Sequence, residues 1–392
     1  MMLEKMIKKD VLEMPPSGIR KYFDLINEME DVISLGVGEP DFLTPWNITE
    51  AGIYSLEKGH THYSSNAGFI ELRKEISNYL RRYDLNYSPT DEIIVTVGGS
   101  EGIDIALRAL VGPGDEVIIP EPSFVAYKGC TTFTGATPVV INLKAENEFK
   151  LTAKELEEAI TEKTKVLIMP FPNNPTGAIM TREELEPIVE VLKDKDIIII
   201  SDEIYAELNY NKERHVSIAS FPEVRDKTLV VNGFSKTYAM TGWRLGYLCG
   251  HKILIEQMKK IHQYAIMCSP TIAQYAAIEA LKNSQDSVDK MVREYNRRRR
   301  LLVNGLREMG LDTFEPLGAF YVFPCIKSTG LTSEEFCERL LIEERVLVVP
   351  GTAFGECGEG FVRACYASST ENIIEALKRI NRFINNLKNN HK

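Results

Sequence analysis

The chain has 392 residues, which is too long for one small domain, and its 44% hydrophobic and 26% charged residues are ordinary for a globular protein. Its 46 Lys and Arg against 56 Asp and Glu give a formal net charge of -10, which argues against a nucleic acid as the main partner. We therefore expect one large and one smaller domain, with a cleft between them that has room for a small ligand.

Cysteine content and hydrophobic runs indicate the cellular compartment. The seven cysteines are odd in number and form no Cys-x-x-Cys pair, a pattern typical of reduced thiols. No run approaches the roughly 18 apolar residues that span a bilayer, and residues 1–14 lack the apolar core of a signal peptide. We expect a cytoplasmic protein without a membrane partner.

From Asp91 onward, short β-branched segments alternate with helical stretches. Near-continuous Ile and Val, as in 197–200, is typical of strands that are buried on both faces. This alternation predicts an α/β fold with a mostly parallel, seven-stranded sheet between helices. The seven predicted strands are Glu92–Val97, Glu116–Pro120, Thr137–Leu143, Lys165–Pro170, Ile197–Ser201, Thr228–Asn232 and Arg244–Gly250.

The last third of the sequence predicts a smaller α+β domain. Long helical patterns cover Ser269–Lys282 and Gln285–Met309, and a closing helix runs from Thr370 to about Lys388. Predicted strands separate them, at Ala319–Pro324, Val346–Val349 and Gly360–Ala367. We expect the large domain to span 45–285 and the small domain to combine 1–44 with 286–392, with Gly18–Glu30 packed on the small domain.

Polar residues follow the carboxyl ends of four predicted strands, at Gly98-Gly99-Ser100, Asn174, Asp202 and Lys236. Open α/β sheets bind ligands at such ends. A lysine there can form a Schiff base, and Arg244, eight residues later, offers a fork suited to a phosphate. A carboxylate at the end of a buried strand needs a cationic partner. These residues together predict one ligand site.

These motifs resemble those of the class I aminotransferases. The resemblance rests on Asn174-Pro175-Thr176-Gly177, Asp202-Glu203-Ile204-Tyr205 and Ser235-Lys236 with Arg244, followed by Arg363 near the end of the chain. It covers about residues 18–387 and is nearest to the bacterial and archaeal branch with aspartate, aromatic and N-acetyl-diaminopimelate aminotransferases. It implies the aspartate aminotransferase fold, which is fold type I of the pyridoxal-phosphate enzymes, and pyridoxal 5'-phosphate as cofactor.

The resemblance also implies the roles of individual residues. Lys236 carries the cofactor as a Schiff base and moves the Cα proton, and Asp202 pairs with the pyridine nitrogen. Tyr205 and Asn174 hydrogen-bond the 3′-oxygen, and the aromatic ring of Phe124 lies against the cofactor. The phosphate is held by backbone and side-chain donors of Gly99, Ser100, Glu101, Ser235 and Arg244.

The substrate and the partner subunit involve other residues. By resemblance, Arg363 binds the α-carboxylate with help from the backbone of Gly36 and the amide of Asn174. Tyr63 matches the tyrosine that reaches the phosphate of the neighbouring subunit, so the resemblance implies a homodimer with shared active sites. It also implies cis peptide bonds at Glu121-Pro122 and Asn174-Pro175.

The predicted function is transfer of the amino group of an L-amino acid to a 2-oxo acid, 2-oxoglutarate by resemblance, in a ping-pong cycle. A pyridoxal-phosphate-dependent carbon–sulfur β-lyase on the same fold is the alternative, because its early steps are shared. A sensor domain of a transcription regulator is disfavoured, since motifs that begin within the first 40 residues leave no room for a DNA-binding domain.

Two further features bear on the ligands. His60-Thr61-His62 lacks a third ligand at a fitting spacing, so we predict no metal site. Ser100 stands where acid-specific members of the branch can carry a lysine, which disfavours a purely dicarboxylic preference. Aspartate, an aromatic amino acid and an acylated diaminopimelate all remain candidate donors.

Overall fold

The computed structural model describes residues 3–15 and 29–390. The strands of these residues are β1 Ile33–Ser34, β2 Ile93–Thr96, β3 Glu116–Glu121, β4 Thr137–Asn142, β5 Thr164–Met169, β6 Ile198–Asp202, β7 Thr228–Gly233, β8 Gly246–Cys249, β9 Tyr321–Val322, β10 Val346–Leu347, β11 Val349–Pro350 and β12 Val362–Cys365. The α-helices are α1 Lys9–Glu13, α2 Trp46–Glu57, α3 Ile70–Leu80, α4 Gly98–Leu110, α5 Ala126–Thr134, α6 Ala153–Ala159, α7 Arg182–Leu192, α8 Pro222–Arg225, α9 Lys252–Ala265, α10 Thr271–Asn283, α11 Gln285–Glu308, α12 Ser333–Glu344 and α13 Thr370–Asn390.

A seven-stranded sheet forms the centre of the molecule, with the strand order β2-β8-β7-β6-β5-β3-β4. Its pairs are parallel except for those of β8, which is antiparallel to both β2 and β7. Ile199 packs with α7 on one face, and Ile200 packs with α4 and α9 on the other. Burial on both faces explains the apolar sequence of β6. The predicted α/β fold is confirmed.

A second group of strands and helices follows α11. Strand β12 pairs antiparallel with β11 and β9, while β10 pairs in parallel with β1. The prediction of one strand over Val346–Val349 is wrong, because Val346 pairs with Ile33 and Val349 pairs with Arg363, so two short strands join different sheets. The domain limits stay a prediction. The segment Gly18–Glu30 lies outside the described residues, apart from its last two.

Helix α11 shows why the long predicted helices form. Its buried residues recur every three or four positions and place one apolar stripe against the core. They are Val288, Met291, Tyr295, Leu302 and Leu306, with Arg298, Arg299 and Val303 also buried. None of the helices in the described part of the chain is both long and apolar enough to cross a membrane.

The elements next to the site begin at different residues from those predicted. Strand β8 starts at Gly246 rather than Arg244, because Arg244 has a left-handed backbone with φ of 52°. Helix α4 begins at Gly98, so Gly98 and Gly99 lie in its first turn. The two predicted cis bonds are present, and a third, Phe171-Pro172, accompanies them.

Gly246 is expected to be essential for the packing of β8 against the start of α4. A Cβ on Gly246 would lie 2.6 Å from the carbonyl carbon of Gly98 and 2.7 Å from the nitrogen of Gly99. Gly246→Ala should therefore lower the free energy of unfolding by about 1–3 kcal/mol, measured by urea unfolding. Gly242→Ala is the control, because a Cβ there meets no described atom within 4 Å. Equal stability of the two variants would contradict this packing.

Candidate active site

A cavity of about 420 Å³ opens at the carboxyl ends of the parallel strands. Most of the predicted site residues lie in its wall, which confirms that the strand ends converge. Those that line it are Gly99, Ser100, Phe124, Asn174, Asp202, Tyr205, Ser235, Lys236, Arg244 and Arg363. Gly36, Glu101 and Tyr63 do not line it.

Asp202 ends β6 with its side chain buried at the floor of the cavity; the residue is 7% exposed. The Tyr127 hydroxyl donates to its Oδ2 at 2.7 Å, and the Ile204 N–H donates to Oδ1 at 3.2 Å. Burial raises the pKa of Asp202, and the Tyr127 hydrogen bond opposes this rise. Asp202 makes no ion pair with any described residue, so the carboxylate lacks a cation that a ligand in the cavity can supply.

Lys236 follows β7 and reaches into the same cavity. Its Nζ donates to the carbonyl oxygen of Gly38 at 2.6 Å. Burial lowers the pKa of Lys236 to about 8. About a tenth of the amine is therefore uncharged at pH 7, and an uncharged amine can attack an aldehyde.

The start of α4 and Arg244 form the end of the cavity suited to a phosphate. Gly98 has a φ of 74°, and a Cβ on it would lie 2.9 Å from Nη2 of Arg244, so only glycine fits beside this guanidinium. The first turn of α4 presents unpaired backbone N–H groups, which attract anions. Ser235 lines the same cavity.

Glu101 differs from its neighbours in this turn. Its carboxylate accepts hydrogen bonds from the backbone N–H of Val97 and from Nδ1 of His262. The side chain is therefore occupied away from the cavity, and only the Glu101 backbone is available to a ligand.

Arg363 lies on β12 and is almost fully buried at 2% exposed. Its Nη1 donates to Oδ1 of Asn174 at 2.9 Å, and its Nη2 donates to the carbonyl oxygen of Gly36 at 2.6 Å. The guanidinium lies between the rings of Tyr321 and Phe354, 4.5 and 4.7 Å from their centroids. It forms no ion pair, and its Nε has no hydrogen-bond partner, among the described residues. This buried cation is suited to a carboxylate ligand.

Gly38, Tyr127 and Tyr321 are among the cavity-lining residues that the sequence analysis missed. Tyr127 follows Phe124 by three residues, a helical spacing that was a usable signal. Tyr321 hydrogen-bonds Tyr205, hydroxyl to hydroxyl, at 2.9 Å. It comes from β9, more than 100 residues from Tyr205, and no local pattern indicated it.

The family model of aminotransferases of class I and II matches residues 30–380. The chain belongs to this family. It is therefore an aminotransferase, which transfers amino groups between amino acids and 2-oxo acids, and class I enzymes with this fold use pyridoxal phosphate. The resemblance and the reaction class predicted from the sequence are confirmed.

Relatives with different substrate names are about equally similar to this aminotransferase. An aspartate aminotransferase of Pyrococcus abyssi is 46% identical, over 94% of this chain and 96% of its own. Aromatic-amino-acid aminotransferase 2 of Thermococcus litoralis is 45% identical, over 97% and 98%. The crystal structure of an aromatic aminotransferase from Pyrococcus horikoshii is 45% identical, covers 94% of this chain and 99% of its own, and has a TM-score of 0.90. Identity alone therefore does not select the amino donor.

The site of this aminotransferase fits the cofactor at three points. The Asp202 carboxylate accepts hydrogen bonds from neutral donors and has no ion-pair partner in the described part of the chain, so it suits a protonated pyridine nitrogen. The first turn of α4 with Arg244 suits the phosphate. The Lys236 amine, with its lowered pKa, suits the aldehyde.

The lowered pKa of Lys236 predicts how the apoprotein captures the cofactor. The rate of appearance of visible absorption should increase with pH around a midpoint near 8, because the amine adds to an aldehyde only when it has lost its proton. Stopped-flow mixing over a pH series measures this rate, with N-acetyl-lysine methyl ester as the unburied control. A midpoint equal to that of the control, at a pH of about 10.4, would contradict the effect of burial on the Lys236 pKa.

Proposed function

We propose that this aminotransferase bears its cofactor on Lys236 and uses 2-oxoglutarate as the amino acceptor. Two opposite charges in one cavity carry the proposal, since the Asp202 carboxylate and the Arg363 guanidinium are both buried without an ionic partner among the described residues. Pyridoxal phosphate supplies an aldehyde that accepts the amino group and a conjugated ring that accepts the electron pair of the broken Cα–H bond. The residues of the chain bind, orient and exchange protons around it.

On the cofactor side, the residues would bind different parts of the cofactor. Asp202 holds the proton on the pyridine nitrogen, and Tyr127 keeps the Asp202 carboxylate ionised by donating to it. Tyr205 and Asn174 would hydrogen-bond the 3′-oxygen, and the Phe124 side chain would lie against the ring; all three line the cavity. Ser235, Arg244 and the backbone of residues 99–101 bind the phosphate.

On the substrate side, Arg363 binds the α-carboxylate, and this fixes the Cα–H bond near Lys236. The Asn174 amide and the Gly36 carbonyl hold the guanidinium fork in place. When the substrate amine replaces the Lys236 amine on the cofactor, Lys236 Nζ is freed and would take the Cα proton as a general base. Because both half-reactions use the same cavity, the amino acid leaves as its oxo acid before the acceptor binds, which gives ping-pong kinetics.

The attachment point can be tested chemically. Borohydride reduction of the holoenzyme should fix the cofactor on the peptide that contains Lys236, as mapped by mass spectrometry. Lys236→Arg, which keeps the positive charge, should yield no adduct. An adduct on another lysine of the wild-type enzyme would overturn the assignment.

The preferred donor is best measured with a panel of amino acids against 2-oxoglutarate, scored by glutamate formation. Aspartate, an aromatic amino acid and N-acetyl-diaminopimelate are the informative members. We expect glutamate from at least one of them, and no glutamate from any would contradict 2-oxoglutarate as acceptor. Pyruvate release from cystathionine would instead favour the β-lyase.

We also propose a homodimer in the cytoplasm. Tyr63 is 81% exposed, and the surface of the described residues also exposes the apolar side chains of Leu43 and Tyr264, at 91% each. Asn66 Nδ2 donates to the carbonyl oxygen of Met267 at 2.8 Å, which holds the Tyr63 loop beside the end of α9. A second copy of the chain would cover this surface. The seven cysteines are free thiols, which supports a reducing compartment.

If Tyr63 donates to the cofactor phosphate of the partner subunit, Tyr63→Phe should weaken cofactor binding by about 1.5–3 kcal/mol without changing the fold. Hybrid dimers of Tyr63→Phe and Lys236→Ala chains give the decisive comparison. The one site that keeps Lys236 receives its tyrosine from the other chain, so it should bind the cofactor with wild-type affinity by equilibrium titration. Binding as weak as in the Tyr63→Phe homodimer, or an active monomer in sedimentation, would contradict the shared site.

A further inference from the structure

Tyr321 contacts both halves of the active site. Its hydroxyl lies 2.9 Å from the hydroxyl of Tyr205, and both side chains are buried, at 1% and 5% exposed. Its ring faces the Arg363 guanidinium, with 4.5 Å from Cζ to the ring centroid. Tyr205 is assigned to the cofactor and Arg363 to the substrate carboxylate. Tyr321 therefore contacts one residue assigned to the cofactor and one assigned to the substrate.

The number of hydroxyl protons decides which tyrosine donates the hydrogen bond between Tyr205 and Tyr321. A phenol hydroxyl has one proton to donate, although its oxygen can also accept a hydrogen bond. If the Tyr205 proton pointed to Tyr321, none would be left for a group in the cavity. Tyr205 can donate into the cavity only while its oxygen accepts the proton of Tyr321. Burial raises the pKa of both tyrosines, so both keep their protons at neutral pH.

The described residues around the Tyr321 hydroxyl offer it one hydrogen bond, the one to Tyr205. A Cβ on Gly38 would lie 2.5 Å from the Tyr321 hydroxyl oxygen, so the hydroxyl fits against Gly38 only because this residue is a glycine. Among the described residues, Tyr205 is the hydrogen-bond partner of the Tyr321 hydroxyl. Strand β9 fixes the backbone of Tyr321 opposite Cys365 of β12. The hydroxyl is therefore held in one place.

We propose that Tyr321 is a positioning residue, which donates its hydroxyl proton to Tyr205 and so commits the Tyr205 proton to the 3′-oxygen of the cofactor. This inference rests on the proposed function, because the acceptor of the Tyr205 proton belongs to the cofactor. A hydroxyl that accepts a hydrogen bond is polarised and becomes a better donor. The ring of Tyr321 separately supports Arg363 through the cation–π contact.

Tyr321→Phe removes the hydroxyl and keeps the ring, so it distinguishes the effects of the two. The apoprotein of this variant should bind pyridoxal phosphate about fivefold more weakly, since one neutral hydrogen bond is lost. The pH midpoint of the visible absorption of the lysine-bound cofactor should rise, because the 3′-oxygen loses part of its donor and holds a negative charge less well. The dissociation constant of maleate, a dicarboxylate used here as a probe of Arg363, should stay within about twofold, because the ring remains.

Tyr366→Phe is the matched control. It removes another buried tyrosine hydroxyl of the same region, which donates to the carbonyl oxygen of Ala319 at 3.1 Å and does not line the cavity. The cofactor dissociation constant and the absorption midpoint of this variant should equal those of the wild type. A change as large as that of Tyr321→Phe would show that both variants act through packing, and would overturn the inference.

A double-mutant cycle tests whether Tyr321 acts through Tyr205. Tyr205→Phe should shift the absorption midpoint further than Tyr321→Phe, and the double variant should equal Tyr205→Phe alone. Additive shifts, or a Tyr321→Phe midpoint equal to that of the wild type, would overturn the positioning role of Tyr321 and leave the proposed function intact. If the wild-type protein fails to bind the cofactor at Lys236, the proposed function itself fails, and the inference with it.

Discussion

Two buried charges without ion-pair partners among the described residues determine the structure of this active site. Asp202 and Arg363 are 7% and 2% exposed, and neither forms an ion pair with a described residue. Removing a charge from water costs several kcal/mol unless an opposite charge or strong hydrogen bonds compensate. In the protein alone, hydrogen bonds with neutral groups offset part of this cost. The part that is not offset favours binding of a ligand with the opposite charge. A cofactor cation and a substrate carboxylate complete the two pairs.

The surrounding elements hold these charges in place. The sheet brings Asp202 and Lys236 to one edge because β6 and β7 are parallel neighbours. Strand β12 brings Arg363 from a separate sheet, and Asn174 and Gly36 fix its guanidinium. The same arrangement makes the Lys236 amine easier to deprotonate by excluding water from it. Burial of the cavity residues thus favours ligand binding by Asp202 and Arg363 and also makes the Lys236 amine more reactive.

The sequence was most informative where function needs a residue type at a fixed place along the chain. The central sheet and the ends of β6 and β7 followed from apolar runs that end in polar residues, as at Ser201-Asp202. Contacts made across the fold were not predictable. Tyr321 reaches Tyr205 only because β9 pairs with β12, and Val346–Val349 divides between two sheets because its pairing partners lie far away in the chain. Such contacts leave no local pattern.

The most direct test of this account compares Asp202→Asn with the wild type in two measurements at neutral pH. Because burial raises the pKa of Asp202, its ionised form destabilises the folded apoprotein at any pH above that pKa. The variant removes this charge, so urea unfolding of its apoprotein should show a free energy higher by about 1 kcal/mol or more. Cofactor affinity should fall in the same variant. An apoprotein that is less stable than the wild type, with unchanged cofactor affinity, would contradict the claim that Asp202 awaits a cation from the ligand.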